Sequence, residues 1–101
     1  MRTERKFKVS AELKEYVRDV LARNGVSHRF VVDGEQLYCV TTLSGERFHK
    51  VVKRAYCEKK TQETGVLHLT YQESQDANLR AGLMKVFGKN SYVIASSARK
   101  N

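Results

Sequence analysis

The 101-residue sequence contains no proline, no tryptophan and only two cysteines. Two cysteines cannot build the disulfide framework on which small secreted domains depend, which excludes that class. Cys39 and Cys57 do not form a Cys-x-x-Cys pair, and no histidine stands at zinc-site spacing from either. Both read as buried, unreactive thiols. No apolar run approaches the ~20 residues of a membrane-spanning helix. The charged start Met1-Arg2-Thr3-Glu4-Arg5-Lys6 leads into no apolar signal segment. The expectation is a cytoplasmic protein with no membrane partner. Stretches of the form GxxxxGK[ST], GxGxxG and HExxH are missing as well, so phosphate-loop, dinucleotide and zincin chemistry find no support. Aspartate and glutamate are scattered singly, and neither metal nor cofactor is expected.

What the chain does have is positive charge, unevenly placed. Lys and Arg number 19 against 11 Asp and Glu, a formal net charge of +8. Residues 2–8 carry Arg2, Arg5, Lys6 and Lys8 against Glu4; residues 47–60 carry Arg47, Lys50, Lys53, Arg54, Lys59 and Lys60 against Glu58; Arg99 and Lys100 end the chain. These stretches hold more than the whole excess, which leaves the remainder slightly acidic. Concentration of this kind points to a surface patch and not to solubility alone, although a solvated helix face is the plainer reading of residues 47–60.

Without proline, glycine supplies most of the punctuation. Phe7 and Val9 alternate with Lys6 and Lys8, which predicts a strand over 3–9. Ser10 reads as an N-cap for a helix over 11–24, with Leu13, Tyr16, Val17, Val20 and Leu21 at helical spacing and Asn24-Gly25 as its stop. Residues 26–32 alternate as a second strand, Asp33-Gly34 marks a hairpin, and Gln36 to Leu43 pairs back antiparallel. Ser44-Gly45-Glu46 opens a second helix, striped by Phe48, Val51, Val52 and Ala55, running to about Lys59. Thr61 to Gly65 is expected as a polar connector. Then follow a strand over 66–71, a helix over 74–87 with Leu79, Leu83, Val86 and Phe87 as its stripe, and a short strand over 91–95. The order predicts an α+β fold with a ferredoxin-like βαββαβ core and a C-terminal αβ extension. Residues 1–96 are expected as a single α+β domain and 97–101 as a basic C-terminal tail.

Chemistry is thinly represented. His28, His49 and His68 could supply acid and base for metal-free RNA cleavage, but each reads more simply as a packed or surface histidine. The chain is expected not to be an enzyme, with a metal-free ribonuclease as the minor alternative.

Nucleic acid is the partner that best uses concentrated cations, because neutralised phosphates release condensed counterions. On the second helix Arg47, Lys50 and Arg54 recur at i, i+3 and i+7, along one side, with Lys53 and Lys60 flanking it. Arg5, Lys6 and Lys8 on the first strand, and Arg99 with Lys100 in the tail, are expected as auxiliary contacts. Tyr38 is the candidate for stacking a base, although its strand lacks the Gly-Phe-Gly/Ala-Phe core of the RNA-recognition-motif signature. RNA is favoured over duplex DNA, because neither helix-turn-helix spacing nor a zinc finger is present. Two other readings stand beside it. One is a small inhibitor or adaptor, of the phage anti-defence or host-takeover type, that binds a nuclease, toxin or polymerase, with or without RNA. The other is a structural homodimer that pairs through the apolar strand at 91–95. Monomer and homodimer are both compatible with the sequence.

Overall fold

The computed structural model describes residues 3–95. Its contacts divide the chain into two compact units, Met1–Ala55 and Tyr56–Asn101, with the boundary inside one helix. The described residues form a mixed α+β architecture of four α-helices and five strands in two sheets.

The first unit opens with β1 (Arg5–Val9), a 3-10 turn (Ala11–Leu13) and α1 (Lys14–Arg23). Ser10 holds the extended conformation of a cap, but its side chain makes no capping bond, so the predicted helix begins as the tighter 3-10 turn. At the other end Gly25 adopts φ 69°, and Val26 N–H reaches back to the Leu21 carbonyl at 2.9 Å, closing the helix as its glycine implied. Strands β2 (His28–Asp33) and β3 (Gln36–Thr41) form a hairpin across Gly34, whose φ of 66° is the positive value that the turn demands. The antiparallel sheet has the order β1-β3-β2. Its register aligns Phe7, Cys39 and Phe30 in one cross-strand row and Val9 with Leu37 in another.

That sheet face is the packed one. It meets Val17, Val20 and Leu21 from α1 and Phe48 and Ala55 from α2 (Gly45–Thr64). Val17 and Leu21 are wholly buried, each stabilising the unit by roughly 1.5–3 kcal/mol through removal of apolar surface from water. Period-2 alternation sends Lys6, Lys8, Arg29 and Tyr38 to the opposite face.

The second unit comprises the rest of α2, β4 (Leu67–Leu69), α3 (Tyr71–Gln75), α4 (Ala77–Phe87) and β5 (Tyr92–Ile94), with β4 and β5 paired in parallel. Three expectations are corrected here. Residues 61–64 are the last turn of α2 and not a connector: Thr61 Oγ1 donates to the Cys57 carbonyl at 2.8 Å and accepts from His68 N–H at 2.9 Å, and Gly65 ends the helix at φ 77°. The helix expected over 74–87 is two helices. Thr70 and Glu73 form a reciprocal capping box that starts α3. Asp76 then takes an extended conformation and caps α4 through Leu79 N–H at 3.1 Å. Lastly, the predicted stripe of α4 is not buried: Leu79 and Val86 are exposed and Leu83 and Phe87 half-buried.

A ferredoxin-like core would place the fourth strand in the same sheet as the first three. In the hydrogen-bonding pattern β4 instead pairs with β5 in a separate two-stranded sheet. No helix among the described residues is long and apolar enough to cross a membrane.

Candidate nucleic-acid interface

The first turns of α2 and the start of β1 bring several cations of the first unit together around two concavities. Ser44 acts as the N-cap: its carbonyl accepts from Phe48 N–H at 2.9 Å and its Oγ from Arg47 N–H at 3.2 Å. Phe48, one residue beyond Arg47, stacks on Phe7 with ring centroids 4.3 Å apart and planes 7° from parallel. This contact fixes β1 against the start of α2 and costs nothing in buried polarity. Arg5 shares the strand face of Phe7, two residues earlier, and so reaches the same place. Arg5 and Arg47 line a concavity of about 400 Å³ with Thr3, Thr42, Leu43 and Ser44. Arg47 and Leu43 also border a second concavity of about 370 Å³, completed by Lys50 and Arg54 and by the apolar side chains of Val20, Val26 and Val51 beside Asn24.

Arg47, Lys50 and Arg54 thus converge as their spacing predicted, but not at one depth. Arg47 and Lys50 are exposed, whereas Arg54 is 8% exposed. Helical period fixes the direction of a side chain and says nothing about what lies over it. Here Val20, Asn24 and Val26, at the end of α1 and the loop beyond, share the concavity that Arg54 lines. Arg54 is therefore corrected from a solvent-facing contact to a buried wall. Lys53 is half-buried and borders neither concavity. Lys60 belongs to the second unit, where its ammonium lies 5.6 Å from the Tyr56 ring centre and 3.8 Å from Glu63.

The strand cations separate in the same way. Arg5 joins the α2 cluster, while Lys6 and Lys8 occupy the other face of the sheet. Lys6 is already engaged, 4.5 Å over the Tyr38 ring and 3.6 Å from Asp33. A base could stack on that face of Tyr38 only by displacing Lys6. Arg29, on the same side, pairs with Glu4 at 3.2 Å. Arg99 and Lys100 lie outside the described residues.

Charge compensation divides the cations, although Lys8 on the opposite face also makes no ion pair among the described residues. Among the described residues, Arg5, Arg47 and Lys50 make no ion pair with a carboxylate, while Lys6 and Arg29 do. Three uncompensated cations around adjoining hollows raise the local potential and favour an anion. Each hollow offers a different chemistry. The first carries hydroxyls from Thr3, Thr42 and Ser44, and the second an aliphatic wall.

Other chemistry is quiet. His28 Nδ1 lies 2.8 Å from the Val26 carbonyl, and its ring meets Phe30 edge-on at 5.9 Å. His68, in the second unit, makes the same short contact to the Val66 carbonyl, and His49 is exposed on α2. Cys39 and Cys57 are both buried free thiols. Burial pushes the Cys39 thiol up to about 11, which keeps it protonated and poorly nucleophilic near neutrality. Among the described residues no three His, Cys, Asp or Glu side chains gather where they could hold a metal ion.

Thr42, Leu43, Ser44, Asn24 and Val26 escaped sequence reasoning because none is charged and each sits at an element boundary. The usable signal was the cap Ser44 three residues before Arg47. No protein-family model, curated protein or solved structure matches this chain.

Proposed function

We propose that this chain is a nucleic-acid-binding protein, not an enzyme, and that it takes RNA in preference to duplex DNA. The observation that carries this reading is the cluster of Arg5, Arg47 and Lys50, exposed, bordering adjoining concavities, and uncompensated among the described carboxylates. A concave cationic surface suits an unpaired strand, whose phosphates and splayed bases can enter it. A duplex major groove instead needs a protruding helix, and α1 and α2 each have one side packed into the core of the first unit. The strand order β1-β3-β2 with α1 and α2 on one face is what supports the ferredoxin-like element of the reading, while β4 pairs with β5 outside that sheet. Binding to single-stranded RNA should weaken as salt rises, along a log–log slope of about −0.7 for each phosphate neutralised. An electrophoretic shift titrated across salt concentrations measures this. Affinity indifferent to salt would overturn the proposal.

The second unit favours a different reading, the protein-binding inhibitor or adaptor. Tyr71, Leu79, Val86, Val93 and Ile94 are exposed there, and apolar side chains in such number suit a protein partner. Association through them would be insensitive to salt, which separates the two readings in the same titration.

A further inference from the structure

Resting on the nucleic-acid reading, we propose that the paired concavities of the first unit select a terminal phosphomonoester: a nucleotide whose dianionic phosphate lies between Arg5 and Arg47 and whose base rests on the wall of Leu43, Val51 and Val26.

The charge arrangement leads to this ligand. Cations strung along a groove match an internal phosphodiester chain, which carries a single negative charge per phosphate at regular intervals. Three exposed cations of the first unit with no ion pair among the described residues instead border two adjoining hollows, while Lys8 lies on the other sheet face. Arg47 borders both hollows, Arg5 the first and Lys50 the second. The strip that would have extended them along α2 is interrupted, because Arg54 is buried and Lys53 borders neither hollow. Two arginines lining one concavity favour a phosphomonoester, which carries about −1.5 to −2 at pH 7 and three acceptor oxygens. The first hollow adds the hydroxyls of Thr3, Thr42 and Ser44. Ser44 Oγ accepts from Arg47 N–H and keeps its own O–H to donate.

The second hollow has the character of a ring site. Val20, Val26, Leu43 and Val51 give it apolar walls, and its volume of about 370 Å³ is on the scale of small-molecule sites. Asn24 donates from Nδ2 to the Val20 carbonyl at 2.7 Å, which leaves its amide oxygen to accept from an exocyclic amine. Leu43 and Arg47 belong to both hollows, so phosphate and base sites adjoin as they do in a nucleotide.

The chemistry is shared by the end of an RNA strand and by a free nucleoside monophosphate, and the test separates them. Affinities of the full chain are measured for one RNA oligomer in three forms: phosphorylated at the 5′ end, phosphorylated at the 3′ end, and bearing hydroxyls at both ends. A nucleoside monophosphate and inorganic phosphate are titrated alongside, with the Leu43 and Val51 methyl resonances as reporters. One phosphorylated oligomer should bind at least about tenfold tighter than the hydroxyl form, the gain of one charge-assisted contact set. The reporters should move with the monophosphate and not with phosphate alone. Arg5→Ala, an exposed change, should bring the phosphorylated and hydroxyl oligomers to equal affinity on that variant, whatever it costs in overall RNA affinity. Equal affinity for all three oligomers overturns the inference and leaves RNA binding intact. Loss of binding to every oligomer, with the monophosphate still moving Leu43 and Val51, overturns RNA binding and assigns the site to a free nucleotide. Silence from all probes overturns both.

Discussion

Leu21 in α1 and Leu79 in α4 each lie on an apolar stripe at helical spacing, yet Leu21 is 0% exposed and Leu79 is 45% exposed. The difference lies in what each stripe faces. In the first unit one face of a three-stranded sheet meets two helices, and Val9, Val17, Leu21, Cys39, Phe48 and Ala55 join a single cluster. The second unit has two strands of three residues each. Leu67 and Leu69 are buried there, but Val93 and Ile94 on the partner strand are exposed, and α4 buries no residue. Two short strands offer too little surface to cover a helix of three turns. A stripe specifies which side of a helix is apolar; burial depends on a counter-surface of sufficient area.

The largest expected effect tests this contrast directly. Leu21→Ala should cost the full chain about 2–5 kcal/mol, the range for emptying a packed leucine site, whereas Leu79→Ala should stay within about 0.5 kcal/mol. Urea denaturation of both variants decides it, and equal losses would erase the distinction between the units.

A second effect, on the order of 2 kcal/mol, is confined to the first unit and follows from the Cys39 thiol. Its ordinary value of 9.0 is pushed up to about 11 by burial. Between those values the unfolded chain has lost the proton and the folded chain keeps it. Stability is therefore full below pH 9 and falls as pH rises towards 11. Thermal denaturation across this window should show a flatter decline for Cys39→Ala than for the parent chain. Identical slopes would remove burial of the thiol as the cause.

The smallest effect sharpens the picture of the second unit, whose local order comes from caps as much as from packing. Thr70→Ala removes the acceptor at 3.2 Å for Glu73 N–H and should cost ~1 kcal/mol, with Thr70→Ser restoring most of it. Amide hydrogen exchange at Glu73 and Ser74 reports it, and unchanged protection would show the box to be dispensable.

Legibility in the sequence follows the same division. β1, α1, the β2–β3 hairpin and the start of α2 could be read from residues 3–55 because local signals agree there: alternation in Phe7 and Val9, the Asn24-Gly25 stop, and Asp33-Gly34. Past residue 60 they conflict. The polar run from Thr61 to Thr64 resembles a connector, but Thr61 ties the helix to β4 through its hydroxyl. The break at Asp76 went unread because the stripe that defined the expected helix, Leu79 to Phe87, lies wholly past it. Thr70-Tyr71-Gln72-Glu73, a capping-box pattern, was the signal that would have located α3. Within the candidate site, direction was readable and depth was not. The i, i+3, i+7 spacing brought Arg47, Lys50 and Arg54 to one hollow, while Arg54 alone of the three is buried. Strand alternation likewise separates Arg5 from Lys6 and Lys8, although all three sit in one charge run.

That separation supports the most direct test of the central claim, that nucleic acid meets the Arg5–Arg47–Lys50 surface and not the opposite sheet face. Two double variants, Arg47→Glu with Lys50→Glu and Lys6→Glu with Lys8→Glu, change the net charge equally and differ in the surface they alter. Binding of single-stranded RNA to each is measured at ~0.15 M salt, where surface charges beyond about 8 Å are largely screened. The account predicts that the first variant loses retention and the second keeps most of it. Equal loss from both would reduce the interaction to net charge, and loss from the second alone would contradict the assignment.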